Sequence, residues 1–220
     1  MNVLTRSASR LGPAGGRAEI AIGLINNMGD EALKITERQF GSLVLEAAGD
    51  VSVSFRIFAL KSTRRSSRAL GYINAHYEPA SAAMDGDLDG LIITGAQPHA
   101  HRLNEEPYWE ELTEVIDWAK LHTTSTILSC LAAHAGVLHL DGVERRPLPE
   151  KCAGVFTSVA ETTHPLVGKQ GGVRLVPHSR YNGLSRSELE QAGYAILTSS
   201  QGCGVEIGRA SCRERVSSKV

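Results

Sequence analysis

A cysteine stands between a β-branched run and an Ala/Leu-rich run in Thr124-Ser125-Thr126-Ile127-Leu128-Ser129-Cys130-Leu131-Ala132-Ala133-His134-Ala135-Gly136-Val137-Leu138. A buried strand that turns at once into a helix holds its junction residue above the sheet, over the free N–H groups of the helix start. Those N–H groups and the helix dipole favour a thiolate at Cys130 and, after attack on a carbonyl, an oxyanion. The chemistry on offer is covalent catalysis through sulfur. The small residues Ser129 and Ala132 let such a turn close. A buried structural cysteine accounts for the same stretch equally well, so these residues alone leave both readings open.

The elements that would position Cys130 follow from periodicity. Glu19–Asn26 is a continuous apolar run of the kind a central parallel strand needs. Leu33, Thr36, Phe40, Leu43, Val44 and Ala47 recur at helical spacing, which predicts an amphipathic helix over Glu31–Ala48, ended by Gly49. Val51–Leu60 reads as a second strand. Lys61–Asn74, with Thr63-Arg64-Arg65-Ser66, reads as a solvated basic loop, a phosphate site being the lesser alternative. Leu91–Gly95 reads as a strand ending in a glycine turn, and Pro107-Tyr108-Trp109 opens a helix before the Cys130 strand. The alternation predicts an α/β fold with a doubly wound, mostly parallel sheet, whose ligands collect at the carboxyl ends of the strands. Beyond Asp141 the pattern loosens. Arg145–Lys151 reads as a loop, Gly154–Phe156 and Val173–Val176 as short strands, and Pro177–Tyr181 as a polar cluster. Ser185 caps a helix over Leu184–Ala192, and Tyr194–Thr198 is a strand. No second domain boundary is expected.

The 220 residues carry a net charge of −1, so neither a nucleic-acid nor a membrane partner is implied. No apolar run approaches a membrane span of about 20 residues. Residues 1–18 are Gly-rich with scattered Arg and no hydrophobic segment, which predicts a disordered lead-in and not a secretory signal. Cys130, Cys152, Cys203 and Cys212 form no CxxC pair and no disulfide framework. A reducing, cytoplasmic setting is therefore expected, and a structural zinc site or other metal is not. Glu206–Val216 is basic and aperiodic and resembles the in-frame translation of a short sequencing adapter. Residues 206–220 are accordingly expected to be a non-native read-through tail behind a truncated domain of residues 19–205.

Taken together, the ordered landmarks resemble the homoserine O-acyltransferase family, of the homoserine O-succinyltransferase type. They are Asn27-Met28, Thr36-Glu37-Arg38-Gln39-Phe40, Asp89–Ala96, Pro107-Tyr108-Trp109, Thr124-Ser125-Thr126, Ser129-Cys130, Glu150–Val155 and Pro177–Tyr181. The resemblance implies a class I glutamine amidotransferase-like (flavodoxin-like) fold and acyl transfer from succinyl-CoA or acetyl-CoA to the hydroxyl of L-homoserine, in methionine biosynthesis. It implies a Cys130 thioester, the Leu131 backbone N–H as an oxyanion donor, Lys151 and Ser179 as substrate-binding residues, and His99 at the position that bears on acyl-donor choice. It also implies a homodimer and no bound cofactor beyond the CoA co-substrate. The family's Gly-His-Pro-Glu-type motif has no counterpart here, so impaired turnover is expected. Two alternatives stay open. One is a glutamine amidotransferase-like hydrolase, against which stand Leu128 and Ala132 where those enzymes usually have glycines. The other is a non-catalytic binding relative.

Overall fold

The first apolar run forms the middle strand of a parallel sheet. The computed structural model describes residues 19–201 and 203–208. The expected lead-in over 1–18 and the tail beyond residue 208, Cys212 included, lie outside the described residues. The chain divides into two compact units at Gly136/Val137.

In the first unit, β1 (Ile20–Ile25), α1 (Leu33–Ala48), β2 (Val53–Ala59), α2 (Ser67–His76), β3 (Glu78–Pro79), α3 (Ser81–Met84), β4 (Gly90–Ile93), α4 (Trp109–His122) and β5 (Ser125–Leu128) alternate along the chain and lead into α5 (Leu131–Asp141). The strands lie in the order β3-β2-β1-β4-β5, and every pair is parallel. Leu24 and Ile25 of β1 and Ile93 of β4 have no solvent exposure, as expected of strands covered on both faces. Chain order reverses direction between β1 and β4. Ligands of open α/β sheets bind outside the carboxyl ends of the two strands flanking such a switch point.

The helix α1 starts two residues later than its sequence pattern suggests and is rotated about its axis. Its buried residues are Leu33, Thr36, Glu37 and Gly41, while Leu43 is 61% exposed. Hydroxyl donors make this possible: Tyr72 and Tyr77 both donate to Glu37 Oε2, at 3.0 and 3.1 Å. Asn26 Nδ2 in turn donates to the Tyr77 hydroxyl and to the Leu33 carbonyl, each at 2.9 Å. This network ties the end of β1 to α1. Burial, then the hydrogen bond to the Glu37 carboxylate, pushes the Tyr72 phenol up to about 12 from its ordinary 10.0. Burial, then the Glu37 charge, pushes Tyr77 up as well. A phenol raised on folding contributes stability that is complete below pH 10 and lost as pH climbs towards 12. We therefore expect the urea midpoint of the parent chain to fall across that window and that of a Tyr72→Phe, Tyr77→Phe chain to change much less.

The basic stretch departs from expectation. Lys61–Asn74 is no open loop: Ser66 caps α2, its Oγ accepting from Ala69 N at 3.2 Å.

The second unit has its own antiparallel sheet, of β6 (Arg146–Ala160), β7 (Val173–Gly183), β8 (Ala195–Ser200) and β9 (Gly204–Gly208), in the order β7-β6-β8-β9. The expected loop at Arg145–Lys151 and the short strands after it are parts of one long hairpin, with a register shift between Pro147 and Cys152. The short helix α6 (Arg186–Gln191) carries the expected Ser185 cap. Val137, Val143, Leu189, Tyr194 and Ile196 form a core of their own, which is why a boundary exists where none was expected. Glu206 and Ile207 pair with Thr198 and Ile196, so the expected domain end at Val205 falls inside a strand. Cys152 and Cys203, expected as free thiols, are joined in a disulfide whose Cα atoms lie 6.3 Å apart. Among the described residues Cys130 is the free cysteine. An alkylating reagent added without reductant should modify Cys130 and leave Cys152 and Cys203 untouched, as peptide mapping would show.

Candidate active site

Cys130 sits in the two-residue gap between β5 and α5. Its φ of 57° makes it the positive-φ residue other than glycine among the described residues. Such a backbone costs about 1–3 kcal/mol in a side-chain-bearing residue and persists only where the surroundings enforce it. Enforcement comes from both sides. Ser129 N donates to Ile93 O at 2.9 Å, extending the β4–β5 ladder up to the turn. Ala132 N and Ala133 N then donate to Ser129 O and Cys130 O, at 3.2 and 3.1 Å, and the first helical turn is wound. The thiol is exposed, so the core-cysteine reading does not hold. Leu131 is the first residue of α5, and its N–H has no partner within the helix. The end of β4 presses on this point: a Cβ built on Gly95 would lie 2.7 Å from Leu131 N and 2.8 Å from Leu131 Cβ.

A narrow slot outside β1 and β4 is lined by Asn27, Gly95, Tyr108, Leu131 and Ala132, among others. It shares Asn27, Ala96 and Tyr108 with a cavity of about 370 Å³. Asn27 N donates to Thr94 Oγ1 at 2.8 Å, and Asn27 Nδ2 to Thr94 O at 3.3 Å, so the two strand ends are clasped to each other. His99 is exposed at the cavity's edge. Its backbone N–H and that of Ala100 both donate to Glu106 Oε1, at 2.5 and 2.7 Å. Arg65 forms the opposite wall, with a side chain only 2% exposed. Its guanidinium donates to Met28 O and to Asn26 O and lies 3.6 Å from Asp30. Burial lowers the Arg65 pKa, with Asp30 pulling the other way.

The expected substrate residues Lys151 and Ser179 belong to the second unit. Ser179 pairs with Ala153 across β6 and β7, and side chains alternate along a strand. Both therefore share one exposed face, where the Lys151 ammonium lies 5.1 Å over the Tyr181 ring. His178 occupies the other face, tilted against Phe156. Burial and then the Arg180 charge lower its pKa. Cys130, Leu131 and His99 belong to the first unit, Cys130 and Leu131 at the β5–α5 junction and His99 on the cavity's lining. Asn27, Thr63, Arg65 and Glu106 were not singled out from the sequence as site residues. A signal near Arg65 was present, because Ser66 followed by an apolar Ala69-Leu70 pair is a helix start, but its burial rests on the Asn26 and Met28 carbonyls.

Among the described residues no group of three or more His, Cys, Asp or Glu could hold a metal. No described helix is long and apolar enough to cross a membrane.

Comparison with known proteins gives three findings. The sequence model of the family described as homoserine O-succinyltransferase matches residues 14–217. A homoserine O-succinyltransferase of Rhodopseudomonas palustris is 45% identical over 196 residues, covering 89% of this chain and 59% of the relative. One of Bradyrhizobium japonicum is 45% identical over 204 residues, covering 90% of this chain and 63% of the relative. The chain thus spans roughly three-fifths of the length of these relatives. In structure it is similar to a Thermoplasma acidophilum protein described as a component of GMP synthase, with a TM-score of 0.57 at 17% identity, covering 87% of this chain and 78% of that one. At that identity the likeness concerns the fold.

Proposed function

The chain belongs to the homoserine O-succinyltransferase family, and on that premise we propose that Cys130 carries a succinyl group from succinyl-CoA to the side-chain hydroxyl of L-homoserine, a step of methionine biosynthesis. The observation that carries this reading is an exposed thiol held at φ 57° immediately before α5.

In the first half-reaction the Cys130 thiolate attacks the thioester carbonyl carbon. The carbonyl oxygen becomes an oxyanion beside the Leu131 N–H, the C–S bond to coenzyme A breaks, and the coenzyme A thiolate leaves and takes up a proton. In the second, the homoserine hydroxyl oxygen attacks the acyl-enzyme carbonyl and loses its proton to a base. A C–O bond forms, the C–S bond to Cys130 breaks, and the thiolate returns. Helix-end dipoles serve both steps, because both pass through negative charge at one place. Lys151, a point charge for a carboxylate, and Ser179, a hydroxyl donor, are proposed as substrate-binding groups. A cytoplasmic setting and a homodimer belong to the same reading.

The test is intact-mass spectrometry after adding succinyl-CoA. A succinyl adduct mapped to Cys130 is expected. An adduct-free Cys130 together with ammonia release from glutamine would put the chain among amidotransferase-like hydrolases instead. His99 gives a second measurement. It lines the cavity that shares Asn27, Ala96 and Tyr108 with the slot at Leu131, so His99→Gly and His99→Glu should move the succinyl-to-acetyl labelling ratio in opposite directions. Equal ratios in both variants would remove His99 from donor choice.

A further inference from the structure

Four side-chain atoms that line or border the 370 Å³ cavity are buried without a hydrogen-bond partner: Asn27 Oδ1, Thr63 Oγ1, Arg65 Nε and Glu106 Oε2. Buried polar atoms are rarely left so, because each has given up its hydrogen bonds to water. Four around one cavity at the β1/β4 switch point mark a place for a polar ligand. Their chemistry specifies which. Glu106 is 3% exposed, and its Oε1 takes two backbone N–H groups but no cation. Its other oxygen asks for a positively charged donor. Asn27 Oδ1 is a second acceptor, because the amide nitrogen is already committed to Thr94 O. Arg65 Nε–H is a donor on a guanidinium, and the Thr63 hydroxyl donates or accepts. A lone carboxylate would leave Glu106 uncompensated, and a lone ammonium would leave Arg65 Nε unsatisfied. A zwitterion answers all four.

We propose that this cavity holds the α-ammonium and α-carboxylate of the acceptor amino acid, with Glu106 and Asn27 taking the ammonium and Arg65 and Thr63 the carboxylate. The proposal rests on the acyl-transfer reading above and names the residues that select its acceptor. The cavity adjoins the slot beside Leu131, the two sharing Asn27, Ala96 and Tyr108.

Calorimetric titration of the full chain, without acyl donor, tests it with three probes. These are L-homoserine, γ-hydroxybutyrate, which lacks the ammonium, and propanolamine, which lacks the carboxylate. L-Homoserine should bind, and each truncated probe should bind at least about tenfold more weakly. Glu106→Gln keeps an oxygen for the His99 and Ala100 N–H groups and removes the charge. It should weaken L-homoserine at least about tenfold while leaving γ-hydroxybutyrate unchanged. Thr63→Val should weaken L-homoserine and γ-hydroxybutyrate but not propanolamine, and it keeps the test alive if Glu106→Gln fails to fold. Full L-homoserine affinity in folded Glu106→Gln, or γ-hydroxybutyrate binding as tightly as L-homoserine, would overturn the site. So would absent L-homoserine binding in a chain whose Cys130 still takes a succinyl group, and the transferase reading would survive. Zwitterion-selective binding in a chain whose Cys130 never acylates would uphold the site and sink the transferase reading.

Discussion

Cys130→Ala protein mixed with succinyl-CoA should give no acyl-enzyme, while Cys203→Ala protein should give as much as the parent chain. The expected difference is the largest the structure offers, on the order of 10⁴-fold or more in labelling rate, because a covalent nucleophile has no partial substitute. The contrast is informative because the two sulfurs sit in opposite circumstances. Cys130 is an exposed thiol at a helix start. Cys203 is 2% exposed and joined to Cys152. Removing it opens a cross-link between residues 51 apart in sequence. By chain entropy that costs about 2–4 kcal/mol, so labelling is best compared well below each protein's melting temperature. Equal labelling of the two variants would mean that acylation is adventitious, and the mechanism proposed for Cys130 would go with it.

Gly95→Ala should inactivate the elbow without touching the sulfur. The added methyl would lie 2.7 Å from Leu131 N and 3.1 Å from Leu131 Cα, closer than a backbone can tolerate. Either β4 or the start of α5 must move. In the proposed mechanism the first helical turn aims the Leu131 N–H at the reacting carbonyl, and misplacing such a group by about 1 Å costs on the order of 100-fold. We expect a loss of about that size in the Cys130 acylation rate, together with an overpacking cost of about 1–3 kcal/mol in urea unfolding. Gly71→Ala is the control. Gly71 lies inside α2 with nothing within 4 Å of a built Cβ, so this change should leave labelling alone and stabilise the chain by roughly 0.5–1 kcal/mol. If Gly95→Ala labels at the parent rate, the close approach of β4 to α5 does not position the oxyanion donor.

Much of the first unit was legible in the sequence, because local and global preferences agree there. Continuous apolar runs such as Glu19–Asn26 can be satisfied only as strands covered on both faces, and the junction at Cys130 has the small residues Ser129 and Ala132 that let its turn close. Where polar groups satisfy one another through tertiary contacts, the pattern misled. Leu43 belonged to the apolar face read from the periodicity and Glu37 did not, yet Glu37 is buried and Leu43 exposed, two tyrosine hydroxyls, one from within α2 and one from just past its end, meeting the Glu37 carboxylate. Arg65 read as part of a solvated loop, yet carbonyl groups of Asn26 and Met28 draw it under cover. The long β6–β7 hairpin was seen only as fragments. Its pairing partner lies more than a dozen residues away, and Pro147, Pro149 and Gly154 interrupt any local strand signal.

The chain's own letters determined that a sulfur stands at a strand-to-helix junction in a parallel α/β sheet. They also determined the family, because side-chain periodicity and the order of short motifs are properties of sequence alone. Only the folded structure decided that Cys130 is exposed at positive φ, that Gly95 braces it, and that Asn27, Thr63, Arg65 and Glu106 meet around one cavity. Those facts depend on which distant backbone segments approach each other. Whether a buried charge or a strained φ is tolerable is settled by neighbours remote in sequence, and no local window of residues contains that information.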